Sequence, residues 1–244
     1  MDPVIEAVTF DYWNTLCVEP APGHLRGLRV EAWLGLLEDA GFATERQLLG
    51  EAFDRAWEAE AARWTAGEHM RHTEAAESIL VELGYDPPPG LRGTLVDAFV
   101  SVGETADLRL TPNVAEAIAT LKKANVRIGI VCDVGFTPST TLRRHLDRHG
   151  LLHEFDHWSF SDEVGCYKPR REIFAHALAG LGARAETTAH VGDLRRTDVA
   201  GARAMGMTAV RYTGAHDDDS QPEPEGHHVV ADHRDLPAVL GVAS

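Results

Sequence analysis

Residues 4–15 read VIEAVTFDYWNT, an apolar, β-prone run through Phe10 that stops at a polar cluster from Asp11 to Thr15. That pattern predicts a buried strand emptying into a tight loop. The next section has a different texture. Val30, Trp33, Leu34 and Leu37 recur at helical spacing before Gly41. Phe53, Trp57, Ala61 and Trp64 repeat the pattern, as do Leu91, Leu95 and Phe99, while Ile79, Leu80 and Leu83 end at Gly84 and Pro87 to Pro89 break the chain. No strand is expected over residues 19–104, so this section reads as a helical unit inserted early into something else.

Strands and helices alternate after it. A helix is expected from Thr111 and Pro112 through Ala124, and others over residues 139–149, 169–181 and 195–205. Strands are expected over 126–131, 155–160, 188–191 and 207–212, with a short last strand at Val229 and Val230 and a closing helical turn over 236–240. The acidic stretch 214–226 reads as a solvated loop. Repeated strand–loop–helix units of this length imply an α/β fold, a doubly wound, mainly parallel, Rossmann-like sheet carrying an all-α insert. The domains expected are a core of residues 1–18 and 105–244 and a helical domain of residues 19–104.

The composition narrows the partners. Lys and Arg number 23 against 38 Asp and Glu, a net charge of −15, while 44% apolar and 25% charged residues are ordinary for a globular chain of 244 residues. Such a field repels nucleic acid and anionic membranes, and neither is expected as a partner. Cys17, Cys132 and Cys166 show no metal-ligand spacing, which suits a reduced, cytoplasmic location. The opening residues lack a basic, apolar leader, and no later run is long enough to span a bilayer, so a soluble protein is expected.

In sheets of this type the ligand crevice lies beyond the carboxyl ends of the strands. Asp11 to Thr15, Cys132 and Asp133, the loop holding Lys168, and Gly192 through Asp198 leave those ends. An unpaired carboxylate there is costly, and Asp11 and Asp193 brought together would repel unless a cation or a lysine lay between them. Carboxylates with backbone oxygens suit hard Mg²⁺, although either aspartate alone could equally be a loop or helix cap. Lys168 draws attention by scarcity, since Lys122 and Lys123 are the only other lysines. It could neutralise a substrate anion or simply sit on the surface.

The order Asp11…Thr15, Cys132-Asp133, Lys168-Pro169 and Gly192-Asp193…Asp198 resembles the haloacid dehalogenase-like hydrolase superfamily, and the helical insert resembles its C1-type cap. The likeness covers roughly residues 4–16 and 105–240. It implies Asp11 as a nucleophile forming an aspartyl-phosphate. It implies Mg²⁺ held by Asp11, the Trp13 carbonyl and Asp193, with Asp198 behind them. Lys168 would neutralise phosphoryl oxygens, and Asn14 and Thr15 would shape the loop and offer N–H donors. Asp133 and Arg195 join the candidate substrate contacts. The cap would close over Asp11, hinged near Cys17–Pro22 and Thr105–Leu110.

Two departures stand out. Trp13 occupies the position where the family's phosphatases usually carry an acid–base aspartate, and an indole only donates a hydrogen bond. Cys132 stands where a serine or threonine usually binds the phosphoryl group. Losing a general acid–base group costs about 10²–10⁴ in rate. Asp133, His69 and His72 are the conceivable replacements, although solvated surface roles suit both histidines. The expectation is therefore a hydrolase, a phosphatase ahead of a dehalogenase, acting on a phosphate ester or acyl phosphate of small size. The alternatives are carbon–halogen hydrolysis, disfavoured by the retained acidic motif, and a non-catalytic member that binds a phosphorylated metabolite or a protein. Trp33, Trp57 and Trp64 are read as filling the helical section's own core or a dimer face, which makes a homodimer conceivable. His227, His228 and His233 are read as a surface cluster. Signals for other classes are absent, with no P-loop, no Gly-x-Gly-x-x-Gly and no Gly-x-Ser-x-Gly.

Overall fold

All four residues of β1 (Ala7–Phe10) are buried, as a strand covered on both faces must be. The computed structural model describes residues 4–68, 71–220 and 223–242. Their elements run β1, β2 (Cys17–Val18), α1 (His24–Asp39), α2 (Arg46–Ala66), α3 (His72–Glu82), α4 (Pro89–Thr105), β3 (Arg109–Leu110) and α5 (Val114–Lys123). There follow β4 (Arg127–Cys132), α6 (Ser139–Arg148), β5 (His157–Phe160), α7 (Ser161–Val164), α8 (Arg171–Leu181), β6 (Thr188–Gly192), α9 (Ala200–Met205), β7 (Thr208–Tyr212), β8 (His228–Val230) and α10 (Leu236–Val239).

Six strands form one parallel sheet in the order β5-β4-β1-β6-β7-β8. This is the α/β class expected from the alternating pattern. The flanking helices bury periodic apolar faces. Val114, Ala117, Ile118 and Leu121 do so on α5, whose last turn carries Lys122 and Lys123 at the negative end of the helix dipole. On α8, Ile173, Phe174, Ala177 and Leu181 are buried, and Gly182 stops the helix at φ 58°, a conformation an L side chain resists.

Two details differ from expectation. Thr111 and Pro112 precede α5 rather than open it, and Asn113 takes the left-handed conformation (φ 61°) just before the first turn. A two-stranded antiparallel ribbon, Cys17 opposite Leu110 and Val18 opposite Arg109, was invisible in the sequence because two residues carry no periodicity.

Among the described residues the chain divides into two units. One holds the residues up to Val18, Arg109–Asp133 and those from Leu146 onward. The other holds Glu19–Leu108 and Val134–His145. The second unit has its own core around the fully buried Trp33, whose indole N–H donates to the Leu95 carbonyl (2.9 Å). Phe53 and Phe99 stack there at 5.9 Å. Buried Arg29 donates to the carbonyls of Phe99 and Phe136 (3.0 Å each), which ties residues 136–137 to the helices of this unit. Trp57 departs from a core role: it is 55% exposed and meets Phe136 edge-on. No helix among the described residues is long and apolar enough to cross a membrane.

Candidate active site

The sheet's connections reverse between β1 and β6. From β1 the chain proceeds to β4 on one side, and from β6 to β7 on the other. A crevice opens at the carboxyl ends of such a strand pair. The register pairs Phe10 with Val191, and the Asp11 N–H donates to the Val191 carbonyl (2.8 Å), so Asp11 and Asp193 emerge side by side. Gly192, just before Asp193, leaves no room for a side chain unless Asp198 shifts: a Cβ there would lie 2.2 Å from Asp198 Cγ. Asp198 itself arrives on a π-helical turn, Arg195–Val199, that leads into α9. Such turns often mark functional sites.

Lys168 lies between two of these acids. Its Nζ donates to Asp11 Oδ1 and to Asp198 Oδ1, 2.6 Å each, with all three residues buried. Asp11, Asp193 and Asp198 each offer an oxygen, and these atoms lie within 4.8 Å of one another. Three carboxylates so close need more positive charge than one ammonium supplies. The set is all oxygen, which suits a hard cation, so these residues could bind a metal.

The protonation tendencies follow from the same crowding. Burial, opposed by Lys168 and reinforced by Asp198, pushes the Asp11 carboxyl up to about 7. Burial, then the charges of Asp11 and Asp198, hold Asp193 well above the usual carboxylate range. Burial alone would raise Asp198 too, but the Lys168 ammonium and then His190 outweigh it and hold it low. Dehydration disfavours the Lys168 ammonium, yet the acids around it raise its pKa well above the ordinary lysine value.

The other candidates fall around this centre unequally. Trp13 is half-buried, its ring edge-on to Tyr12 at 5.1 Å, and Asn14 takes φ 54°, a left-handed turn that asparagine tolerates. The Tyr12 carbonyl accepts from the N–H groups of Leu16 and Cys17 (2.9 Å each), which closes the loop on itself. Asn14 Nδ2 donates to Asp193 Oδ2 at 3.4 Å. Thr15 is fully buried, with its carbonyl held by Thr111 Oγ1 (2.6 Å) and His233 Nε2 (2.9 Å), so its visible work is to fix the loop. Burial keeps the Cys132 thiol well above its ordinary pKa, a neutral S–H. Asp133 Oδ1 accepts from the Lys168 backbone N–H (3.0 Å) and so fixes the loop that carries the lysine.

Arg195 needs correcting. Its guanidinium turns to the acidic loop, Nε donating to the Asp218 carbonyl (2.9 Å) and Nη2 to Glu225 Oε2 (2.9 Å), rather than standing open to an anion as a whole. That loop is correspondingly not merely solvated. Asp218 is buried and accepts from the Arg195 N–H (2.6 Å), and Asp217 pairs with Arg211 (2.6 Å). The histidine cluster dissolves as well. His233 is buried and stacked on Tyr212 at 4.0 Å, while His227 Nδ1 accepts from the Ala209 N–H (2.9 Å). His72 opens α3 in the helical unit, and His69 lies outside the described residues.

Two residues escaped the sequence reading. His190, buried in β6, donates from Nε2 to Asp198 Oδ1 (3.0 Å), and its Nδ1 accepts from Thr9 Oγ1 (2.9 Å). Burial lowers the pKa of this imidazole, and the ionised Asp198 carboxylate, which can only accept, calls for the proton on Nε2. The lone polar ring in the run Thr188-Ala-His-Val-Gly192 was the available signal. His216, on the acidic loop, contacts Asp193 Oδ2 through Nδ1 (3.0 Å), and nothing local in the sequence marks it.

The family model for haloacid dehalogenase-like hydrolases matches residues 5–206. The chain is 29% identical over 221 residues, 90% of itself and 88% of the relative, to a glyceraldehyde 3-phosphate phosphatase of Methanopyrus kandleri. It is 30% identical over 218 residues, 88% of itself and 87% of the relative, to a ribulose-1,5-bisphosphate 5-phosphatase of Halopiger xanaduensis. In fold it is similar to a 2-haloacid dehalogenase of Pseudomonas syringae pv. Tomato DC3000, with a TM-score of 0.72, 22% identity, and coverage of 97% of this chain and 98% of that one. The family's pattern thus spans β1, β4, β5 and β6 of the sheet and the segments that supply Asp11, Lys168, Asp193 and Asp198, and the chain belongs to the haloacid dehalogenase-like hydrolases.

Proposed function

We propose that this hydrolase is a Mg²⁺-dependent phosphatase that takes a small phosphorylated metabolite and moves its phosphoryl group onto Asp11. The observation that carries the reading is the Lys168 ammonium 2.6 Å from both Asp11 and Asp198 in a cluster of three buried acids. The names of the two relatives, both phosphatases of phosphorylated sugars, support the substrate class.

Asp11, Asp193, Asp198 and the Trp13 carbonyl would hold the cation, which when bound supplies positive charge beside the phosphoryl oxygens. Lys168 occupies Oδ1 of Asp11 and leaves Oδ2 to attack phosphorus. As the new O–P bond forms, the bond to the leaving oxygen breaks and the electron pair leaves with that oxygen. Lys168 sits where it balances charge accumulating on the phosphoryl group, and the neutral Cys132 S–H adds a weak donor. Water then cleaves the aspartyl-phosphate, releasing inorganic phosphate and restoring the Asp11 carboxylate. Asp198, held low by Lys168 and His190, stays ionised throughout and keeps the lysine charged and in place.

Trp13 supplies no proton to the leaving oxygen. Acyl and aryl phosphates, whose leaving groups depart unprotonated, are therefore expected to turn over faster than sugar phosphates. Rates on acetyl phosphate, p-nitrophenyl phosphate and glyceraldehyde 3-phosphate, with and without Mg²⁺, test both points alongside Asp11→Asn. Metal-dependent turnover ranked by leaving group and abolished in the variant is the expected result. An Asp11→Asn protein as active as its parent removes Asp11 from the mechanism, and equal rates on the three substrates remove the argument from Trp13.

A further inference from the structure

The acidic loop after β7 is fastened in three places. Asp218 takes the Arg195 backbone N–H (2.6 Å), two residues after Asp193. Asp217 takes Arg211 Nη1 (2.6 Å), and Glu225 takes both Arg211 Nε (2.7 Å) and Arg195 Nη2 (2.9 Å). These contacts begin at the residue after His216, whose Nδ1 lies 3.0 Å from Asp193 Oδ2. The carboxylate is buried, whereas the imidazole is about half exposed, with 47% of its side chain accessible. A buried acid is thus reached from the solvent side by one ring on a pinned loop.

We propose that His216 is a positioning residue for the metal site, and this inference rests on the Mg²⁺ reading above. With Asp193 ionised, as a bound cation requires, Nδ1–H donates to Oδ2 and fixes the carboxylate's rotation. Oδ1 is then left to the cation. Asn14 Nδ2 reaches the same oxygen at 3.4 Å, a longer and weaker contact, so the histidine dominates the orientation. Hydrogen-bond partners of metal-ligating groups typically change metal affinity by about 10–100-fold when removed. The acidic loop is, on this account, a strap that delivers one ring to the ion site.

Calorimetric titration of the full chain with Mg²⁺ tests the inference without reference to turnover. His216→Ala is expected to weaken Mg²⁺ binding about 10-fold or more while the metal-free protein melts at the parent's temperature, because the ring is half exposed. His216→Asn, whose amide N–H reaches the place of Nδ1–H, is expected to restore most of the affinity. Asp218→Asn, which keeps the ring but loosens the strap, is expected to fall between parent and His216→Ala. A parent that binds Mg²⁺ with an alanine variant of equal affinity overturns the role of His216. So does an asparagine variant no better than alanine. A parent that binds no Mg²⁺ overturns the metal reading itself, which is a separate result.

Discussion

Replacing Lys168 by methionine removes one buried positive charge and leaves two buried carboxylates facing each other. Each Lys168–carboxylate contact is 2.6 Å long. At an effective dielectric near 20, one such contact is worth about 6 kcal/mol before dehydration is counted. Dehydrating the ammonium and its partners cancels much of that, and deleting one member of a buried ionic group costs about 3–5 kcal/mol net. That is the loss of unfolding free energy expected at pH 8 with metal chelated, measured by urea denaturation. The loss should depend on pH with a definite sign. The Asp11 carboxyl in the folded protein sits at about 7, above the ordinary 3.8, so folding takes up a proton between roughly pH 4 and 7. For such a group stability falls as pH rises through that window. Without the ammonium, Asp11 loses its strongest lowering influence, and its folded pKa rises further. The deficit of Lys168→Met should therefore be smaller at pH 5 than at pH 8. A variant as stable as the parent at pH 8, or a deficit that does not shrink on acidification, would refute the reasoning.

Gly192→Ala should destabilise the metal-free protein by about 1–3 kcal/mol in the same urea assay, because its Cβ would meet Asp198 Cγ at 2.2 Å and the buried carboxylate would have to move. Trp13→Asp should raise turnover of a sugar phosphate by up to about 10²–10⁴ and leave acetyl phosphate nearly unchanged, which paired initial rates would show. Burial lowers the His233 pKa from 6.5 to about 4, so the unfolded chain binds a proton first and stability falls as pH drops from 6.5 to 4. This component amounts to about 3 kcal/mol and should vanish in His233→Gln, read as the difference between parent and variant across that range.

Much of the core was legible because its signals are local. The apolar run ending at Asp11 says strand and then polar loop whatever surrounds it, and the spacing of Val114, Ala117, Ile118 and Leu121 gives a helix face by itself. The acids at the ends of β1 and β6, and the scarcity of lysine, made Asp11, Asp193 and Lys168 candidates before any coordinates. Which strands are neighbours, and which partners the loops find, was a different matter. Lys168 meets Asp11 across 157 positions of chain, and His216 meets Asp193 across 23, contacts that no periodicity encodes. Arg195 and Asp218 show the same limit. Arg195 was read as a candidate substrate contact and Asp218 as part of a solvated loop, and each is engaged by the other once the loop after β7 folds back. His233 likewise looked like a surface ring until Tyr212 and the Thr15 carbonyl enclosed it. Side-chain period and turn chemistry act over a few residues, so the sequence alone determined element types and the acids that close them. The pairing of charges depends on distances set by the whole sheet, so the tertiary structure alone decided which acids share the lysine and which loop reaches them.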